Sequence, residues 1–98
     1  MAMILGGRTV ITTAGTRVQV NNTPRRVISI LLKGRDSNTG KVYVGDSTVS
    51  STAGLELKAN QGVTIPSPGP AYTFLISDIW VDAATNGDIV DWLVELVP

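Results

Sequence analysis

The sequence predicts an all-β fold, an antiparallel β-sandwich or jelly-roll-like domain of about eight short strands. Of the 98 residues, 31 are Val, Ile or Thr, and these branched side chains favour a pleated sheet over a helix. Turn residues recur about every 8–12 positions, the spacing typical of sandwiches. No window keeps a helical period. The nearest is 88–97, where the preceding Asn-Gly turn favours a strand. We interpret residues 1–98 as one domain.

The first half predicts two paired strands followed by a long one. Residues 1–7 are apolar and predict a short strand or an N-terminal arm. The strands Arg8–Thr13 and Arg17–Val20 are close enough to predict a hairpin. Arg25–Lys33 is the longest apolar strand, and both of its faces are largely apolar. It is therefore expected to be central, or covered by a neighbouring subunit. Alternation assigns Arg26, Ile28, Ile30 and Leu32 to one face, and Val27, Ser29, Leu31 and Lys33 to the other.

The second half predicts shorter strands between loops. The predicted loops are Gly34–Gly40 and Ser47–Gly54, and the predicted strands are Lys41–Val44, Leu55–Lys58, Val63–Ile65, the run Phe74–Ala84, and Ile89–Val97. Pro66–Pro70 is expected to be rigid and extended. Asn86-Gly87 is a hairpin signal. In the last strand one face is apolar and the other carries acids; the apolar residues are Val90, Trp92, Val94 and Leu96, and the acids are Asp91 and Glu95.

Composition and motifs exclude much chemistry. The absence of Cys and His removes the thiolate nucleophile, the commonest general base and the commonest metal ligands, so we expect no enzyme and no cofactor. The segment 34–41 lacks the spacing and the Ser/Thr of a phosphate-binding loop. The calcium loop that could begin at Asp36 reaches Ser47 where a Glu should close it, so we expect a plain hairpin loop and no metal.

Four acids lie near two tryptophans in sequence. Paired carboxylates beside aromatic residues are found in glycosidases, but 98 residues leave little room for a deep cleft. We expect these acids instead on the exposed or partner-facing side of two neighbouring strands. The acids are Asp78, Asp82, Asp88 and Asp91, and the tryptophans are Trp80 and Trp92.

Charge is distributed unevenly along a chain whose net charge is zero. All eight Lys and Arg lie in residues 1–58, whereas residues 59–98 hold five acids and no base. Either the strands interleave and neutralise one another across a sheet, or the subunit has complementary ends for assembly. The sequence leaves both interpretations open. Zero net charge gives no reason to expect a nucleic-acid partner, and we expect neither a signal peptide nor a membrane span.

Several segments from about Arg25 onward resemble a pattern found in small virion proteins of tailed bacteriophages. They are Arg26–Ile30, Asn38–Asp46, Gly54–Leu57, Gly62–Pro66, Ile79–Ala83 and Asn86–Asp88, with the closing apolar strand. The resemblance implies a β-sandwich that acts as a capsid decoration (cement) protein, without catalysis. Its implied partners are the major capsid protein and further copies of the chain, with a trimer favoured. The implied location is the capsid surface of a virion assembled in the host cytoplasm.

We expect contacts to come from the N-terminal arm and from the two polar loops, because such elements reach outward from a sandwich. The candidate contact residues are Met3, Ile4, Leu5, Arg35, Asp36, Asn38, Val49 and Ser50. A tail, neck or fibre component would share the fold. A carbohydrate-binding module is the alternative of another class, and would use Trp80, Trp92 or Tyr72 as a stacking platform, although alternation favours the core for Trp92.

Overall fold

The computed structural model describes residues 3–66 and 74–97 as two antiparallel sheets packed face to face. The described strands are β1 (Met3–Ile11), β2 (Val18–Gln19), β3 (Arg26–Gly34), β4 (Val42–Gly45), β5 (Leu55–Leu57), β6 (Gly62–Pro66), β7 (Phe74–Leu75), β8 (Trp80–Ala83) and β9 (Asp88–Leu96). The larger sheet has the order β1-β9-β3-β6, with β7 also pairing β3. The smaller sheet has the order β2-β8-β4-β5. The predicted all-β sandwich is confirmed.

The core lies between the two sheets, and alternation is most regular along β9. On β9 the predicted inward face is confirmed, since none of its four apolar residues is more than 8% exposed. They pack in one cluster with residues of the smaller sheet, among them Val42, Val44, Leu57 and Val81. The Trp92 indole Nε1 donates a hydrogen bond to Thr9 Oγ1 at 3.1 Å, so its polar atom is satisfied inside the core.

Strand β3 is central, as predicted, because it pairs with β9 on one side and with β6 and β7 on the other. The predicted division of its faces is wrong near its start. The pairing with β9 shifts register between Val27 and Ser29, a β-bulge that takes Ile28 out of the ladder. Val27 and Ile30 are consequently both fully buried, although strict alternation places them on opposite faces.

The predicted hairpins at Ala14-Gly15-Thr16, at Asn86-Gly87 and in the Gly34–Gly40 loop are wrong, because each segment passes from one sheet to the other. They lead from β1 to β2, from β8 to β9 and from β3 to β4. Gly15 and Gly87 each have a φ of 84°, so both turns do need the left-handed conformation that glycine adopts readily. The turn signals locate the turns but do not determine which sheet receives the next strand.

Of the two interpretations of the apolar start, a short strand or an N-terminal arm, the strand is confirmed and the arm is wrong for the residues that the structure describes. Residues 3–7 belong to β1, which pairs with β9 without interruption from Met3↔Leu96 to Ile11↔Asp88. The apolar start therefore extends the strand predicted from Arg8 onward and forms one edge of the larger sheet. Of the predicted rigid segment, only Pro66 lies within the described residues.

Candidate interaction surface

The outer face of the larger sheet carries exposed apolar side chains. The register aligns Leu93 of β9 with Leu31 of β3, and these are 48% and 42% exposed. Ile4 of β1, one row further along, is 71% exposed. We call these three residues the apolar strip. Shallow depressions of about 130 and 140 Å³ flank the two leucines. The strip lies outside the core, and such patches are typical of contact surfaces.

Charged side chains border the apolar strip in the next row along the strands. Arg8 of β1 and Lys33 of β3 are both register partners of Asp91 on β9. Arg35 Nε lies 3.2 Å from Asp91 Oδ2, with the two side chains 30% and 33% exposed. Strand β9, from the acidic half of the chain, thus lies between two strands from the basic half. This arrangement supports neutralisation across the sheet as the interpretation of the charge distribution.

The loop between β3 and β4 is fixed to β9 by side chains. The Asn38 amide donates to the Ile89 carbonyl and accepts from the Ile89 N–H, both at 2.8 Å. The Asp88 carboxylate accepts the N–H groups of Thr39 at 3.1 Å and Gly40 at 2.9 Å. These bonds make Asn38 a structural residue of the loop, while Arg35 and Asp36 lie at its start.

The predicted contact loop Ser47–Gly54 places one of its two candidate residues inside. Val49 is 1% exposed, and its side chain packs beside Gly45 and Gly54. Ser50 is half-buried, and its hydroxyl lies 3.2 Å from that of Thr52. Val49 therefore holds the loop together from within and is unavailable as a contact residue.

The acids predicted on neighbouring strands are separated. Asp82 lies on β8 in the smaller sheet, whereas Asp88 and Asp91 lie on β9 in the larger one. Asp82 and Asp88 are only 3% and 5% exposed, and both accept backbone N–H groups. The expectation that these acids face solvent is therefore wrong for two of the four. In the described parts of the chain, no three His, Cys, Asp or Glu residues are grouped so that they could share a metal ion.

A groove of about 540 Å³ lies beside Trp80 on the smaller sheet. Its other lining residues come from two loops and are Gly15, Thr16, Arg17, Ser47 and Thr48. Both loops are held by carboxylates. Asp82 accepts the Gly15 N–H at 3.0 Å, and Asp46 accepts the Thr48 N–H at 2.8 Å. The hydrogen bonds from the Thr48 hydroxyl and N–H lower the pKa of Asp46. The groove thus combines a half-buried indole with fixed polar walls.

The structure brings only some of the predicted contact residues together. Ile4 belongs to the apolar strip, and Arg35 lies beside it through Asp91. Leu5 faces the opposite side of β1, where it lines a small cavity with Ile76 and Leu96. Met3 is placed only by its register opposite Leu96. Sequence reasoning did not single out Leu31 and Leu93 as contact residues, although period-two alternation places each of them on the side of its strand opposite to the core. Tyr72 lies outside the described residues.

Comparison with solved structures shows similarity of fold. The chain resembles part of IMPa from Pseudomonas aeruginosa in complex with an O-glycopeptide, with a TM-score of 0.59 and 15% identity over 97% of this chain. A second structure, the IMPa metallopeptidase from the same organism, gives a TM-score of 0.57 and 17% identity over 96% of the chain. In both cases the chain spans 12% of the length of IMPa. At such identities the likeness concerns the sandwich alone.

The Tobacco streak virus coat protein dimer is a more distant neighbour, with a TM-score of 0.36 and 9% identity over 99% of this chain and 86% of that one. That likeness is too slight to bear on function. No protein-family model and no curated protein matches the sequence. None of the described residues forms a helix with the length and apolarity of a membrane span.

Proposed function

We propose that this chain is a structural virion protein that decorates a capsid. It binds the outer surface of the major capsid protein and bridges neighbouring capsid subunits, without catalysis and without a cofactor. The observation that carries the proposal is the apolar strip, a group of exposed apolar side chains on the outer face of the larger sheet. The resemblance to small bacteriophage virion proteins supports the same role. The chain would join the capsid surface during assembly in the host cytoplasm.

The described geometry supports contact through the larger sheet. From strand rise and spacing, its outer face covers roughly 500 Å², a substantial part of the ~800 Å² that each partner contributes to a stable interface. Ile4 and Arg35 are proposed as contacts at the border of this face. The other predicted contacts that stay are Met3, Leu5, Asp36, Asn38 and Ser50. Many copies around one shell would add their interfaces through avidity. The trimer implied by the resemblance stays a prediction.

The test is binding to capsids assembled without the protein. We expect the chain to sediment with capsids, and Leu31→Lys and Leu93→Lys to lose most of that binding. Leu55→Lys is the matched control, because Leu55 is also exposed (49%) but lies on the smaller sheet. Absence of binding by the unaltered chain would overturn the proposal. An electron-microscopy map that placed the protein on tail, neck or fibre would replace the capsid location with the alternative one.

A second candidate function is carbohydrate binding, favoured specifically by the groove beside Trp80. Sugar rings pack on indole faces, and fixed hydroxyl, backbone and guanidinium groups can bond the sugar hydroxyls. The likeness to IMPa adds nothing here beyond the fold. On a glycan array we expect binding that Trp80→Ala abolishes and Leu93→Ala retains. No binding by the unaltered chain, or equal binding by both variants, would remove this candidate.

A further inference from the structure

Strand β1 is a long open edge of the larger sheet. Among the residues that the structure describes, it stands at the end of the strand order and pairs with β9 alone, over nine residues. The other terminal strands among the described residues are short. β2 has two residues, β5 has three, and β6 has five and ends at Pro66, which has no N–H. Short strands, proline and charged side chains are the usual protection of a sheet edge. β1 has neither of the first two, and its one charged residue, Arg8, has Asp91 of β9 as its register partner.

The hydrogen bonds of β3 show which residues of β1 face this open edge. Arg35 N–H donates to the Ile89 carbonyl at 3.2 Å. Under the alternation of antiparallel ladders, the odd-numbered residues of β9 therefore bond to β3, and the even-numbered ones bond to β1. The register pairs those even-numbered residues with odd-numbered residues of β1. Backbone N–H and C=O groups are consequently directed to the open edge by Ile4, Gly6, Arg8 and Val10.

We propose that this edge pairs with β1 of a second copy, antiparallel and about a two-fold axis at Gly7. In that register each of the outward-directed residues meets another outward-directed residue, so the free backbone groups of both strands are satisfied. Ile4 then lies opposite the second copy's Val10. Both side chains are exposed in the single chain, at 71% and 46%, and directly opposed apolar pairs stabilise a sheet.

The sequence of β1 selects this register over its neighbours. Pairing about Gly7 places Arg8 opposite Gly6, which has no side chain, while Asp91 on β9 lies beside Arg8 as its register partner. A shift of two positions in one direction places the Arg8 side chains of both copies directly opposite each other, which is unfavourable. A shift in the other direction opposes Ile4 to Arg8 and leaves the apolar pair unmade.

The second copy extends the larger sheet and places the two apolar strips on one continuous outer face. This two-fold contact produces a dimer, in contrast to the trimer implied by the resemblance. The interface is small, so we expect the weak, reversible association typical of such contacts. The inference does not depend on capsid binding, and the experiments below need only the isolated 98-residue chain.

The first experiment is sedimentation equilibrium of the chain over a wide concentration range. We expect a monomer–dimer equilibrium. Gly6→Pro removes an outward N–H without touching the bonds to β9, whereas Gly6→Ala adds a Cβ but keeps the N–H. A Cβ at Gly6 has Leu93 Cδ1 at 3.4 Å as its nearest neighbour, an ordinary contact, and circular dichroism of each variant checks that its fold is retained. Gly6→Pro and Ile4→Lys should each raise the dissociation constant at least about tenfold, equivalent to about 1.4 kcal/mol, and Gly6→Ala should leave it nearly unchanged.

The second experiment is amide hydrogen exchange on the unaltered chain at low and high concentration. Amides of the even-numbered residues from Ile4 to Val10 should become protected as concentration rises, while odd-numbered amides of β1 stay protected throughout. A chain that is monomeric at every concentration, with freely exchanging even-numbered amides, would overturn the proposal. So would a trimer, or a dimer that Gly6→Pro leaves intact. Loss of capsid binding in the lysine variants of Leu31 and Leu93 reports on the other proposal alone.

Discussion

Two adjacent glycines in β1 should respond in opposite ways to the same substitution. A Cβ built on Gly7 lies 2.5 Å from Trp92 Cζ2, so Gly7→Ala requires the buried indole to move. At Gly6 the nearest atom is Leu93 Cδ1 at 3.4 Å, an ordinary contact. Gly7→Ala therefore tests whether the ring of Trp92 leaves room for a side chain at position 7.

The magnitude follows from three effects. Overpacking in a core costs about 1–3 kcal/mol, and displacing the indole weakens its bond to Thr9, worth about 1 kcal/mol. Replacing glycine regains about 0.4–1 kcal/mol by restricting the unfolded chain. We expect Gly7→Ala to lower the free energy of unfolding by about 2 kcal/mol, a fall in Tm of roughly 10 °C for a domain of this size. Gly6→Ala should leave the Tm unchanged or raise it slightly.

The assay is urea and thermal unfolding of dilute protein, followed by tryptophan fluorescence and circular dichroism. The near-ultraviolet circular dichroism of Gly7→Ala should change, because Trp92 is repositioned. The reasoning is refuted if both alanine variants unfold at the same temperature and keep the unaltered chain's near-ultraviolet spectrum.

Three further predictions concern polar contacts. Asp88→Ala leaves the N–H groups of Thr39 and Gly40 without their acceptor and should lower the free energy of unfolding by about 2–4 kcal/mol. Asp88→Asn should lower it less, and equal losses for the two variants in urea unfolding would contradict this reasoning. The hydroxyl and N–H of Thr48 lower the pKa of Asp46. The stabilisation by the Asp46 carboxylate is therefore present above the pKa of this group in the unfolded chain, and it is lost as pH falls through its pKa in the folded chain. Thr48→Val should raise the pKa of Asp46 in a carboxyl NMR titration, and an unchanged titration would contradict the assignment. The hydrogen bond and charge of Glu56 raise the pKa of Lys41, whose Nζ lies 3.0 Å from Glu56 Oε1. The contribution of this pair to stability is therefore present below the pKa of Lys41 in the unfolded chain, and it is lost as pH rises through the pKa in the folded chain. Glu56→Gln should lower the pKa of Lys41 in a lysine NMR titration, whereas no change would show that the pair does not persist in solution.

Local patterns predicted most of the strands and one complete face. Alternation on β9 identified its buried side because that strand is regular over its whole length. The same reasoning failed on β3, where the bulge at Ile28 exchanges the faces within one step. No periodicity in the sequence marks such an insertion, because the bulge is a property of the pairing between two strands.

Pairing between strands that are distant in sequence explains the remaining differences between the sequence predictions and the structure. Asn-Gly and Ala-Gly-Thr marked real turns, but the choice of sheet depends on which distant strand offers a free edge. The roles of Asp88 and Asn38 are set by backbone groups about fifty residues away. The apolar strip was implicit in the two apolar faces of β3. Its identification required knowledge that no further element covers Leu31 within the described residues.

The position of β9 between β1 and β3 sets the order of events during synthesis. The strand nearest the N-terminus and the central strand of the larger sheet both leave the ribosome well before residues 88–96 join them. Until then neither has its β9 partner, and the larger sheet cannot close. Topologies with such distant pairings fold over about milliseconds to seconds. Until β9 is made, β1 therefore has no partner strand among the described residues and β3 has only β6 and β7, so apolar side chains of both strands stay exposed on the nascent chain.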